Sequence, residues 1–371
     1  MKTQEPSWLD ESRVEAKSIF QELEKKSLPR PMIRVSPKDV SEFKRLEILA
    51  PLGSWSHTGS ASSLLHSLLE AYDKLPLVQE TYRSLCKATF SSFSAKHQYE
   101  FQDGQVIYVP AGQEHDLNLT TVFDGEKSSQ YLMIVLEKGA SLSLVHFLKD
   151  ACPGLRDLVL EIVVQEDASF TYTPVYELQG MLQLHRQAHV RGSCTVVDVT
   201  LEIPFIQVQS DMQLLIPGAS ARQTATICSN ATRSFFSQQS HHQAPQTSSD
   251  IVTKAVLSNG AQSGLAGLVA MDNMSKDAQG YQQMDVLLLD EKSHASAIPE
   301  LSIYTADVKC SHGATMGEID EEELFYFQAR GIPIYKAKQL IVQGFIQETL
   351  DHLDEEMQTM LLERLMSVLE E

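Results

Sequence analysis

The chain has 371 residues, of which 43% are apolar and 21% charged, with a net charge of -19. This is the make-up of a soluble globular chain, and the acidic excess argues against nucleic acid or an anionic membrane surface as a partner, since either would repel it. Five cysteines (Cys86, Cys152, Cys194, Cys228 and Cys310) form an odd set without a Cys-x-x-Cys pair, which disfavours a disulfide framework or zinc ribbon and favours a reducing compartment.

Residues 1–99 read as a mainly helical region. The amino terminus carries no signal-type apolar stretch, and the longest apolar run, Tyr131 to Leu136, is too short to cross a bilayer, so a cytoplasmic location is expected. Ala16, Ile19, Phe20 and Leu23 follow helical spacing up to the Leu28-Pro-Arg-Pro31 stop; Leu64, Leu65, Leu68, Leu69 and Tyr72 mark a second helix, and Val78, Tyr82 and Leu85 a third. Gly53 to Ser60 has two glycines but not the spacing or lysine of a phosphate-binding loop.

From about Glu100 to Gly317 the period changes to two. Runs such as Val106–Val109, Leu158–Val164 and Met284–Leu289 predict strands separated by small-residue turns. The turns repeat: Gly139-Ala-Ser141, Asp167-Ala-Ser169, Gly192-Ser-Cys194 and Gly218-Ala-Ser220, then Gly260-Ala-Gln262 and His294-Ala-Ser296. The middle residues Ala140, Ala168, Ser193 and Ala219 are 28, 25 and 26 positions apart, a period in the solenoid range. No long helical pattern interrupts the strands, which excludes a βαβ sheet and leaves a sandwich, a barrel or a β-helix.

Residues 318–371 return to helix. Asp320 is a fitting N-cap for a helix carrying Leu324, Phe325 and Phe327 and ending at Gly331. Ala337, Leu340, Ile341, Gly344 and Phe345 form one face of a second helix, whose expected role is to cover the open end of a solenoid core. Asp354 opens a third, with Met357, Met360, Leu361, Leu365 and Val368 in a stripe that Leu362 and Met366 broaden into an arc suited to recognition.

The residues with most chemistry lie at 307–317. On a strand, Cys310 and His312 share a face about 7 Å apart; taken alone the pair reads first as a buried thiol beside a hydrogen-bonded histidine, and otherwise as half of a metal site. The other half must come from distant strands or another subunit. His185 and His189 are four apart, a ligand spacing on a helix, but Leu-His-Arg-Gln-Ala-His-Val alternates like a strand, which disfavours metal binding there. His241 and His242 are adjacent, face opposite ways on a strand, and read as polar surface. No nucleophile elbow or catalytic triad stands out.

The segment Ile298-Pro-Glu-Leu-Ser-Ile-Tyr-Thr-Ala-Asp-Val-Lys-Cys-Ser-His-Gly-Ala-Thr315, followed by Asp320-Glu-Glu-Glu-Leu-Phe-Tyr-Phe-Gln-Ala-Arg-Gly-Ile332, resembles the signature of the SufB/SufD family of iron-sulfur cluster assembly scaffolds. The likeness extends more loosely from Tyr131 to Phe345; before that only Trp8 and the Leu28-Pro29 turn resemble the family. Met284 stands where the SufB-type member has a cysteine, and Cys310-Ser311-His312-Gly313 stands where that member reads Glu-His-Glu-Ala, departures that resemble the SufD branch.

The resemblance implies a right-handed parallel β-helix core, residues 100–317, flanked by amino- and carboxyl-terminal α-helical regions. It further implies a non-catalytic scaffold that pairs with a SufB-like subunit and docks a SufC-like ATPase through residues 335–350, with Leu340, Ile341 and Phe345 as candidate contacts. His312 is then the first candidate ligand for iron or cluster at the junction and Cys310 the second. No cofactor is expected to stay on the isolated chain, although a transient iron-sulfur cluster is expected in the complex, and the isolated chain is a candidate homodimer. Two other readings stand beside this one: a secreted-type β-helix carbohydrate-active enzyme, and a homodimeric adaptor without a cluster role.

Overall fold

The computed structural model describes residues 16–18, 54–58, 64–82, 85, 97, 101, 103–201, 203–353 and 355–370. Trp8, Leu28-Pro29, Cys86, Asp354 and nearly all of the helix expected at Ala16 to Leu23 lie outside them. Where residues 64–72 were expected to be one helix, the chain forms strand β2 (Leu65–Ser67) and then helix α1 (Leu68–Lys74), with α2 (Pro76–Thr81) next; β1 is Ser54–Thr58. Ser67 accepts a hydrogen bond from the Glu70 amide, which starts α1 late.

Sixteen strands follow. They are β3 (Asp103–Val109), β4 (Glu114–Phe123), β5 (Lys127–Leu136) and β6 (Ser141–Asp150); β7 (Leu155–Val164), β8 (Ser169–Glu177), β9 (Met181–Val190) and β10 (Ser193–Thr200). Then come β11 (Phe205–Leu214), β12 (Ser220–Asn230), β13 (Arg233–His242) and β14 (Ser248–Ser258), and finally β15 (Gln262–Met271), β16 (Gln279–Leu288), β17 (His294–Ile303) and β18 (Lys309–Glu318). Even-numbered strands build one nine-stranded sheet with β1 at its far edge, and odd-numbered strands build the other with β2 at its far edge. All neighbours pair in parallel except β1 with β4 and β2 with β3, so the chain winds as a parallel β-solenoid of about eight turns. The sandwich and barrel alternatives are thereby removed.

The repeated turn has a physical cause. Gly139 and Gly218 adopt φ of 67° and 81°, the left-handed region that glycine reaches without cost. The alanine that follows, Ala140 or Ala219, is 1% exposed and fills the corner of the core. Serine then opens the next strand.

Inward-facing Leu, Ile and Val from both sheets form one continuous core from Ile107 to Val286. The outer faces are covered locally. Leu68, Ala71 and Val78 of α1 and α2 cover Met133, Val159 and Val163, which is why β7 is buried on both faces.

Helices α3 (Glu321–Gln328), α4 (Ile334–Leu350) and α5 (Glu355–Glu370) end the chain. Asp320 caps α3 by accepting from the Glu322 amide at 2.8 Å, as its position predicts. The expectation that α4 covers the open end of the solenoid is corrected. Val342, Ile346 and Leu350 of α4, with Leu361, Leu365 and Val368 of α5, pack on Val197, Val199, Cys228 and Val256, the outer face of the middle turns. The broad arc of α5 is spent in the same contact, since Met357, Met360, Leu362 and Met366 are half-buried against that cluster rather than free for recognition. The last strands of the two sheets, β17 and β18, are therefore left as open edges.

Candidate functional site

Cys310 and His312 lie on β18, the edge strand of its sheet, with side chains toward the lumen. Cys310 is opposite Gly280, whose missing side chain gives the thiol room: a Cβ there would sit 3.2 Å from Cys310 Sγ. The sulfur packs against the Ile251, Val269 and Met271 cluster, and this desolvation raises its pKa, although the Ser311 amide partly offsets it. Cys310 is thus half-buried and holds its proton, whereas His312, one step further along the same face, is exposed. The expected shared face is present, with unequal depth.

Beneath His312 lies Gln282, its partner in the parallel register. Gln282 is 0% exposed, and neither its amide oxygen nor its nitrogen has a hydrogen-bond partner among the described residues. Sequence reading missed it, although its parity with Met284 on a strand marks it as a polar side chain facing inward. Around the open end, Ile298, Ile303, Tyr304 and Met316 are 37%, 41%, 70% and 46% exposed, an apolar rim. Among the described residues, no three His, Cys, Asp or Glu side chains close around a metal position.

The lumen of the middle turns is polar in a different way. Arg186 and Asp198, both fully buried, form a two-point ion pair at 3.1 and 2.7 Å. Tyr176 donates to Asp198 at 2.6 Å, and Arg186 Nε donates to Ser210 at 2.9 Å. Ser210 donates on to Gln223, whose amide nitrogen donates to the Gln239 carbonyl at 2.8 Å.

The other histidines separate. His185 and His189 lie on β9 as the alternation predicts; His185 is buried beside Gln187 at 3.3 Å, and burial pushes its pKa down to about 4 despite Asp211. His241 bonds Asp211 at 3.1 Å. His242 corrects the surface reading: it faces the lumen, 0% exposed, with Thr247 at 2.7 Å and Ser249 at 2.8 Å. Cys194 and Cys228 are enclosed, and burial raises both thiols to about 12, too high to supply a thiolate near neutral pH.

Of the candidate docking residues, Leu340 is 37% exposed, whereas Ile341 and Phe345 lean on the solenoid, the Phe345 ring lying 5.1 Å from Lys254 Nζ. The outward apolar surface nearby consists of Phe325 and Tyr326 on α3 with Ile334 and Tyr335 at the start of α4. No helix among the described residues is long and apolar enough to cross a membrane.

The described residues thus form a parallel solenoid with a thiol and an imidazole on the edge strand of one sheet. Residues 119–345 match the family description "SUF system FeS cluster assembly, SufBD core domain", and the chain belongs to that family. It is similar to iron-sulfur cluster assembly SufBD family proteins of Staphylococcus epidermidis (28% identity, 73% of this chain and 61% of the relative) and Trieres chinensis (28%, 78% and 64%). A Staphylococcus haemolyticus relative is 27% identical over 73% of this chain and 61% of its own. The chain thus spans a little over three fifths of the length of these relatives.

Proposed function

We propose that the chain is the SufD-type subunit of a SufBCD-like complex, acting as a non-catalytic scaffold in the cytoplasm. It pairs with a longer SufB-like chain through the open β17 and β18 edges and docks a SufC-like ATPase through its carboxyl-terminal helices. The observation that carries this reading is the unfinished ligand pair on an uncovered edge. Unpaired strand N–H and C=O groups favour addition of another strand, the apolar rim favours burial, and a partner is needed to complete the sphere around Cys310 and His312. Met284, 1% exposed in the core, leaves the position of the SufB-type cysteine without a ligand here.

In this scheme iron and sulfide are cargo. Movement of the ATPase opens the junction, His312 offers a neutral imidazole to iron, and Cys310 becomes a ligand only when an incoming cation offsets the burial that holds its proton. The ATPase contact uses Leu340 with Tyr335, Ile334 and Phe325, because Ile341 and Phe345 are engaged by the solenoid.

Co-expression with SufB-like and SufC-like chains, then measurement of iron, sulfide and cluster absorbance, tests the reading. His312→Ala should leave the complex assembled, since one imidazole is a small part of an interface of standard size, and should sharply reduce cluster; Cys310→Ala should do less. Undiminished cluster yield with both removed would leave the chain as a structural partner only. Tyr335→Asp should abolish capture of the ATPase, and wild-type capture would sink the docking assignment.

A further inference from the structure

Gln282 occupies the rung directly below His312, on the same face of the same sheet. Parallel strands lie about 4.8 Å apart, so amide and imidazole stand side by side, the arrangement that lets glutamine side chains form hydrogen-bonded ladders. Two rungs below, in the same column, Gln223 has both amide atoms bonded. Gln282, equally buried, has neither. A buried amide left without partners costs on the order of 1–3 kcal/mol.

The surroundings restrict where a partner can come from. Across the lumen the amide nitrogen rests on Gly267, so closely that a Cβ there would collide with it, and Met284 Cε borders the same space. Below, the neighbour in the column is apolar Ile251. Above is His312, the polar neighbour in the column; across the lumen Gln238, beside Gly267, offers a donor Nε2 but no free acceptor, since its Oε1 accepts from Thr253.

We propose that Gln282 is a positioning residue for His312: its Oε1 accepts one ring N–H of the imidazole and leaves the other ring nitrogen bare and turned toward the open edge. Metal-binding histidines are oriented in this way by a group behind them. The inference rests on the reading of His312 as an iron ligand for its purpose. The two side chains are not hydrogen-bonded to each other in the structure, so the contact requires a side-chain rotation but no partner subunit.

The test uses the full-length isolated chain with 15N-labelled histidine, observed by NMR at pH about 8.5, where an ordinary imidazole is neutral. His312→Ala assigns the signal. In the wild type one neutral tautomer should dominate; in Gln282→Met, similar in volume but unable to accept, the ratio should change by about five-fold, the size of one net hydrogen bond. Gly267→Ala should also change it, because the new methyl displaces the amide while keeping its chemistry. The same ratio in the folded Gln282→Met chain overturns the inference, and if that variant does not fold, an unchanged ratio in Gly267→Ala does so. The measurement needs no partner or cluster. A Gln282-dependent tautomer together with full cluster yield in His312→Ala would therefore defeat the ligand role and leave the positioning contact standing.

Discussion

The lumen of the middle turns and the lumen of the last turn share one column of side chains, running from Gln223 to Gln282 and His312, and treat polar groups in opposite ways. Around Arg186 and Asp198 the charges are matched at two points and tied into Tyr176, Ser210 and Gln223, all inside a closed core. At the last turn Gln282 has no hydrogen-bond partner among the described residues, Cys310 is half-buried and His312 is exposed. Matched polarity in the interior holds a shape. Unmatched polarity at an edge is available to something that arrives, and the contrast separates the closed interior from the edge proposed to act.

The largest effect is expected where matching is complete. Asp198→Ala leaves the Arg186 guanidinium buried and uncompensated and should lower stability by about 3–5 kcal/mol, read from the denaturant midpoint. A loss below about 1 kcal/mol would break the contrast.

Acid should expose the next difference. Burial pushes His146, bonded to Thr121 and Tyr172, down to about 3, against 6.5 for the ordinary group. The unfolded chain therefore takes up a proton that the folded chain refuses, so stability is complete above about pH 6.5 and falls as the pH is lowered through it. At pH about 5.5 this one histidine should cost about 1.4 kcal/mol. His146→Gln should flatten the stability profile by that amount.

Gln282→Met should change stability by less than about 1 kcal/mol, because losing the proposed bond to an exposed imidazole is offset by removing a buried amide nitrogen without a partner among the described residues. A loss as large as that of Asp198→Ala would mean the amide is fully bonded. Smallest of all, His312→Ala should stay within about 0.5 kcal/mol of wild type in the isolated chain, so any loss of cluster in the complex is chemical and not a failure to fold.

Much of this was legible in the residues. The Gly-Ala-Ser turn repeat carries the solenoid because each turn needs a left-handed residue, a small corner residue and a strand start, and those needs recur in sequence. The Cys310 and His312 face follows from strand parity alone. Asp320 announces its helix through capping chemistry. What could not be read was where surfaces meet: the Met-rich arc of α5 has the same pattern whether it binds a partner or the chain's own sheet, and only tertiary packing puts it against Cys228 and Val256. His242 is buried because its lumen has hydroxyls from Thr247 and Ser249 to receive it, a pairing that composition does not reveal. Gln282 was missed for the converse reason, since nothing in a sequence shows that a glutamine lacks a partner.

The tail stitched across the middle turns also has a mechanical meaning. Lys254 grips Glu348 at 2.8 Å, Arg364 grips Glu177 at 2.6 Å, and Thr226 meets Thr349 at 2.5 Å, so α4 and α5 are fastened to β14, β8 and β12 rather than hinged at the chain end. A pull on these helices is shared among several rungs and loads the parallel sheet as a unit, with no single strand to peel away. On the proposed reading, displacement imposed at the side of the solenoid is carried through these rungs to its tip, where β17 and β18 stand open.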